Sequence, residues 1–320
     1  MTGGMSGATL LRGGGRSGRA GAAAPQPHLN PDLDFFGPST LDWCERNYAV
    51  LSFVAEFWNT VSNVAMVVLA LVGLRACALL GLARHHRASF AGLLAIGVGS
   101  AAFHGTLLYG AQLLDELPMI WATSAFLYAA APCAVRCARP RLLAALCAAY
   151  SVVVTFLYTA TELKRSPVFH ECAYGAGVFT LIVCVVHGIA VRAPPARRAR
   201  LWSLLARGVC SYGLGFALWN VDNFFCGDLR ALRARVGPVA APALQLHAWW
   251  HLAQVGTYDA IVLVVLLDDC DRQQHARKDK GAEEGCGERQ VTIWYAWHGL
   301  VPLLVRADDD LFVHNVKKKR

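Results

Sequence analysis

Two histidines stand one helical turn apart in the stretch HAWWH, from His247 to His251. Residues four apart share a helix face, so both rings can reach one metal ion, as in helical H-x-x-x-H zinc sites. A third imidazole, His104, closes the block GSAAFH, with Ser100 four residues before it. Three protein nitrogens leave a fourth position for water, the arrangement of catalytic rather than structural zinc. Zinc lowers the pKa of such a water to about 7 and so supplies a nucleophile. Asp115, in QLLDELPM, is the candidate general base. Ser100 is a candidate donor to a developing oxyanion. The competing reading of HAWWH is an interfacial belt of amphipathic side chains. His85 and His86 fall in a basic loop and are read as solvated, and the lone His187 as a packing residue.

A second cluster lies upstream. Asp42, Glu45, Asn47 and Glu56 offer oxygen donors within a short reach. Hard oxygens suit Ca²⁺, which takes six to eight of them. The spacing is not that of an EF-hand loop, and charge capping of a helix start is the alternative.

These residues need elements to hold them. The chain has 320 residues, 55% of them apolar and 16% charged, with a mean hydropathy of +0.38. A membrane crossing takes about 20 mostly apolar residues. Seven windows qualify: Phe57 to Leu74, Phe90 to Tyr109, Leu117 to Val135, Leu142 to Tyr158, Ala173 to Val191, Leu201 to Phe225, and Trp249 to Leu267. They are apolar nearly all round, unlike the striped helices of a soluble bundle. The expected fold is all-α, a seven-transmembrane-helix bundle. The first thirty residues contain no signal-peptide h-region, so the first span is expected to start insertion.

Basic residues set the orientation. The odd-numbered loops carry ten, Arg75, Arg84, Arg87, Arg136, Arg139, Arg141, Arg192, Arg197, Arg198 and Arg200. The even-numbered loops carry five, Lys164, Arg165, Arg230, Arg233 and Arg235. This places the N-terminus in the lumen and the C-terminus in the cytosol. Ser100, His104, Asp115, Asp222, His247 and His251 then converge on the lumenal end of the bundle, where chance would scatter them. Ionisable groups within spans are functional candidates by default. Cys44 and Cys226 fall on that oxidising side and are expected to pair. The net charge of +8 reflects cytosolic loops and the tail, so no nucleic-acid partner is expected.

The organisation that follows is a disordered Gly/Ala-rich extension over residues 1–37, a membrane domain over 38–267 and a cytosolic tail over 268–320. The tail is expected to be charged and disordered from Asp268 to Glu288. The stretch VTIWYAWHGLVPLLV after it is too short to span and is read as amphipathic or interfacial. The terminal KKKR fits either a dilysine retrieval signal or attraction to anionic lipid.

The blocks STLDWCERNY, AEFWNTVSN, GSAAFHGTL, QLLDELPM, WNVDNFFC and HAWWH, in this order between Pro38 and Leu267, resemble the alkaline ceramidases. The resemblance implies a membrane amidase of the endoplasmic reticulum or Golgi. Such an enzyme cleaves ceramide, taken sideways from the bilayer, into a sphingoid base, chiefly sphingosine, and a fatty acid. It implies zinc on His104, His247 and His251, oxyanion stabilisation by Ser100, and Asp115 as general base and acid. It also implies calcium on Asp42, the Trp43 carbonyl, Glu45, Asn47 and Glu56. Two other readings compete. One is a non-enzymatic, zinc-containing seven-helix receptor of the adiponectin-receptor type, whose opposite orientation a glycosylation scan distinguishes. The other is a related lipid hydrolase such as a GPI-remodelling phospholipase.

Overall fold

The apolar windows lie mostly on helix, because backbone in hydrocarbon must satisfy its own hydrogen bonds. The computed structural model describes residues 35–135, 139–279, 290–296 and 299–307. Within them run α1 (Phe57–Leu80), α2 (Arg84–Thr106), α3 (Tyr109–Val135), α4 (Pro140–Ala160), α5 (Pro167–Arg192), α6 (Pro195–Phe224), α7 (Cys226–Ala240), α8 (Leu246–Leu252) and α9 (Val255–Asp279). Proline opens α4, α5 and α6 at a position where its missing N–H costs nothing. Gly81 ends α1 in the left-handed conformation that suits glycine.

Seven of these helices are long. Six stretches are long and apolar enough to cross a membrane: α1, α2, α4, α5, α6 and the run from Cys226 to His275 that contains α9. The remaining long helix is α3, 27 residues with Pro118 and Pro132 inside it. Val152, Val153, Phe156, Val183 and Leu214 are exposed. Such an apolar exterior suits lipid contact. The segment of α9 from Ile261 to Leu267 is buried on every side, as a helix apolar all round must be. It packs against α1, α2, α3, α5 and α6.

Small residues let backbones touch where no polar grip is available. A Cβ on Gly99 of α2 would overlap the Leu114 carbonyl of α3. That close approach brings Ser100 beside Asp115. Gly99→Ala is therefore expected to cost about 1–3 kcal/mol through over-packing. It should also slow turnover by parting the two residues. Thermal unfolding and initial rates check the two effects separately.

Several expectations need correction. The last window is not one helix: HAWWH lies on the short α8, and a turn at Ala253 and Gln254 separates it from α9. The stretch from Asp268, expected to be disordered, continues as helix to Asp279. Its acids find partners there. Asp268 meets His86 at 2.9 Å, Asp269 meets Arg197 at 3.1 Å, and Asp271 pairs with Arg192. His86 is accordingly buried rather than solvated, while His187 is exposed on α5 rather than packed.

The expected interfacial segment is an antiparallel hairpin, β1 (Val291–Ala296) and β2 (Val301–Arg306), with Val291 opposite Arg306. Val291, Ile293, Val301 and Leu304 join the helical core. Tyr258 donates to the Pro302 carbonyl at 3.0 Å, Arg207 to that of Gly299 at 3.0 Å, and Arg200 to that of Ile293. The helices thus satisfy carbonyls that a lone hairpin leaves bare. Residues 1–34 of the N-terminal extension, 280–289 of the tail and the terminal KKKR lie outside the described residues.

Candidate metal centre and active site

The short α8 presents its two histidines inward, and both are buried. Its tryptophans diverge. Trp249 is exposed and donates to the Ala243 carbonyl at 3.0 Å. Trp250 packs against Tyr212, with ring centroids 4.9 Å apart. His104, in the last turn of α2, faces α8. The rings of His104, His247 and His251 form a triangle with centroid separations of 4.9, 4.9 and 4.8 Å. One ligand nitrogen from each lies within 4.8 Å of the others.

The surroundings prepare these rings as ligands. Glu56, the residue before α1, lies 2.5 Å from His104 Nδ1. A proton on that nitrogen leaves Nε2 its lone pair. Ser62 of α1 donates to the Asn59 carbonyl at 3.0 Å and stands 2.8 Å from His251 Nδ1. Asn63 Nδ2 lies 3.3 Å from the same nitrogen, so α1 holds the Nδ1 edge of His251 while Nε2 faces Ser100. Outer partners of this kind fix tautomer and orientation in metal sites. His247 Nδ1 is buried without a partner. Two of the three buried imidazoles are thus held in place by partners, and the three together could hold a metal ion. Glu56→Gln is expected to weaken metal binding at the triangle by about 10–100-fold, read by chelator competition.

Ser100 and Asp115 complete the group. The Ser100 hydroxyl lies 3.5 Å from His251 Nε2 and is hydrogen-bonded to the Asp115 carboxylate. Both line a cavity of about 370 Å³, together with His247 and His251. Its far walls are Phe126, Val178, Phe179 and Ile182, on α3 and α5. One end can handle a polar bond and the rest can hold hydrocarbon, within the usual volume range of ligand sites. Glu116 also lines the cavity, but its carboxylate is engaged. It accepts from Tyr158 at 2.6 Å and from Gln112 at 3.1 Å.

The Ceramidase family profile matches residues 37–283. The chain belongs to the alkaline ceramidase family. Alkaline ceramidase 3 of Mus musculus is 41% identical over 233 residues, covering 70% of this chain and 82% of that protein. Alkaline ceramidase of Arabidopsis thaliana is 28% identical over 257 residues, covering 77% and 90%. Alkaline ceramidase 1 of Mus musculus is 25% identical over 236 residues, covering 72% and 80%. This alkaline ceramidase family member is thus a hydrolase whose matched region includes every residue of the triangle.

The acidic cluster of this ceramidase relative sits directly behind the triangle, joined to it through Glu56. Glu45 accepts from the backbone N–H of Trp58 at 2.8 Å and of Asn59 at 2.9 Å. Glu56 accepts from Trp43 N–H at 3.1 Å and from the Asn59 amide at 3.0 Å. Asn47 donates to Asp42 at 3.1 Å. Arg230 donates to the Trp43 carbonyl at 3.3 Å. Burial pushes the Glu45 carboxyl up to about 7 and that of Glu56 up to about 8. Removal from water disfavours the charged form of both carboxyls.

Cys44 and Cys226 form a disulfide, which ties the N-terminal loop to the start of α7. Asp222 does not reach the triangle. It takes Arg233 at 3.0 Å, and Arg233 also donates to the Cys44 carbonyl at 2.8 Å and the Leu244 carbonyl at 2.8 Å. Asn220 turns back to the Phe216 carbonyl. Asp222 therefore braces the loops that carry α8. Sequence reasoning missed Ser62 and the orienting role of Glu56. The signal for Ser62 was present: Asn59, Ser62 and Asn63 form a polar i, i+3, i+4 patch at the start of an apolar helix.

Proposed function

We propose that this protein hydrolyses the amide bond of ceramide, releasing a sphingoid base and a free fatty acid. One observation carries the reading: three buried imidazoles stand together, two of them lining a mostly apolar cavity beside Ser100 and Asp115. The relatives' name, alkaline ceramidase, supplies the substrate class.

His104, His247 and His251 are the residues that hold zinc, which when bound acidifies water and polarises a carbonyl oxygen. The apolar walls from α3 and α5 take up the hydrocarbon chains of ceramide entering from the bilayer. Asp115 accepts the proton that water loses as its oxygen bonds to the amide carbon. Ser100 donates to the carbonyl oxygen as that atom gains charge. Asp115 then delivers the proton to the amide nitrogen as the carbon–nitrogen bond breaks. Water is thus added across the amide, with nothing left over.

Calcium is assigned to Asp42, the Trp43 carbonyl, Glu45, Asn47 and Glu56, supported by the two buried acids in that cluster. Saturation at a hundred times Kd stabilises by about 2.7 kcal/mol. Calcium chelation is therefore expected to lower the Tm by several degrees. An unchanged Tm on chelation counts against that site. The catalytic end and N-terminus are assigned to the lumen of the endoplasmic reticulum or Golgi, and the C-terminus to the cytosol. The basic-loop bias and the Cys44–Cys226 pair at that end support this.

The test is an assay of the purified protein on defined ceramide in detergent or vesicles. Equimolar fatty acid and sphingoid base are expected, with phospholipid left intact. Cleavage of phospholipid, or no cleavage of ceramide, overturns the reading.

A further inference from the structure

A second group of metal-type donors lies at the other end of α2. His85 and His86 occupy its first turn, and Asp268 approaches from the middle of α9. His85 Nε2 is 3.1 Å from His86 Nε2, His86 Nε2 is 2.9 Å from Asp268 Oδ2, and His85 Nε2 is 3.8 Å from that same oxygen. The circle through three atoms so spaced has a radius of about 1.9 Å. An ion just off their plane would therefore meet all three at the usual zinc distances of about 2.0–2.2 Å.

The arrangement is hard to account for by hydrogen bonding alone. A single proton on His86 Nε2 can be directed at the carboxylate or at the neighbouring imidazole, not squarely at both. His86 is fully buried and its Nδ1 has no partner, so its polar contacts run through Nε2. Arg272 touches Asp268 Oδ2 at 3.4 Å, but its side chain is 51% exposed and can turn outward. The side chains of His85 and Asp268 are 30% and 17% exposed, which leaves a path for an ion and room for water as a fourth ligand.

We propose that His85, His86 and Asp268 bind a second transition-metal ion, zinc by donor type, which clamps the start of α2 to the middle of α9. Two imidazoles and one carboxylate are a zinc-type donor set, and an open fourth position is common with three protein ligands. Eighteen residues of α2 separate His86 from His104, about 27 Å of helix at the α-helical rise. The two sites can therefore be emptied independently, and this one rests on no assumption about the reaction.

The test counts zinc on the purified full-length protein. The protein is stripped of metal, equilibrated with zinc, desalted and analysed by mass spectrometry of the elements. Two zinc ions per chain are expected for the wild type and one for His85→Gln, which keeps ceramide turnover near wild type. Asp268→Asn, of equal size, is expected to match His85→Gln. In either variant the affinity of this site should fall at least a hundredfold, beyond the 10–100-fold of an outer-sphere change. A wild type holding one zinc, or a His85→Gln protein still holding two, overturns the proposal. His104→Gln reports on the catalytic centre separately, since it removes only the other ion.

Discussion

His104→Gln is expected to empty the catalytic centre of zinc and lower ceramide turnover by roughly 10⁴-fold or more. The size follows from the water: without the metal its pKa returns from about 7 toward 15.7, and no other group in the cavity replaces that effect. Two histidines remain on α8, but a helical pair alone is a weak zinc site. Glutamine is preferred to alanine because its amide can still donate toward Glu56, which lies 2.5 Å from the native ring. A buried carboxylate left bare would cost about 1–3 kcal/mol or more and confuse loss of chemistry with loss of fold. Elemental analysis and turnover on the same preparation check the prediction. Retention of both zinc and activity would remove His104 from the site.

Asp115→Asn is expected to leave zinc content and KM unchanged and reduce kcat by about 10²–10⁴-fold, the range of general acid–base catalysis. The substitution preserves size and can still meet the Ser100 hydroxyl, but an amide cannot carry a proton from water to the leaving nitrogen. The split between unchanged KM and reduced kcat separates this role from a binding role. Glu116 serves as the internal control. It lines the same cavity but is engaged by Tyr158 and Gln112, so Glu116→Gln should lower kcat far less than Asp115→Asn. Turnover of Asp115→Asn close to wild type would defeat the assigned role.

That Ser100, His104, Asp115, His247 and His251 lie together was legible in the sequence because the parts obey local rules. His247 and His251 are one turn apart, as are Ser100 and His104, and the alternation of basic loops brings these pairs to one end. Their neighbours were legible only where the chain itself places them. Glu56 orients His104 across 48 residues of sequence, a contact that no helical period encodes. His86 looked solvated because its loop is basic, yet Asp268, 182 residues away, covers it. The same pairing kept α9 helical beyond its apolar stretch, as Asp268, Asp269 and Asp271 each met a partner on another helix. The hairpin was missed for a different reason. Val291 and Ile293 are buried with the period of two of a strand, but in β2 Val301, Pro302 and Leu304 are buried without that alternation, so the segment resembles a short apolar run more than a strand pair.

The central claim is that the amide is cut by chemistry that depends on metal held at His104, His247 and His251. The most direct measurement strips the purified protein of zinc, follows fatty-acid release from a defined ceramide, and then adds zinc back. Loss of release on stripping and its return with zinc, in wild type but not in His104→Gln, is the result predicted here. Full-rate release by the metal-free protein would contradict it.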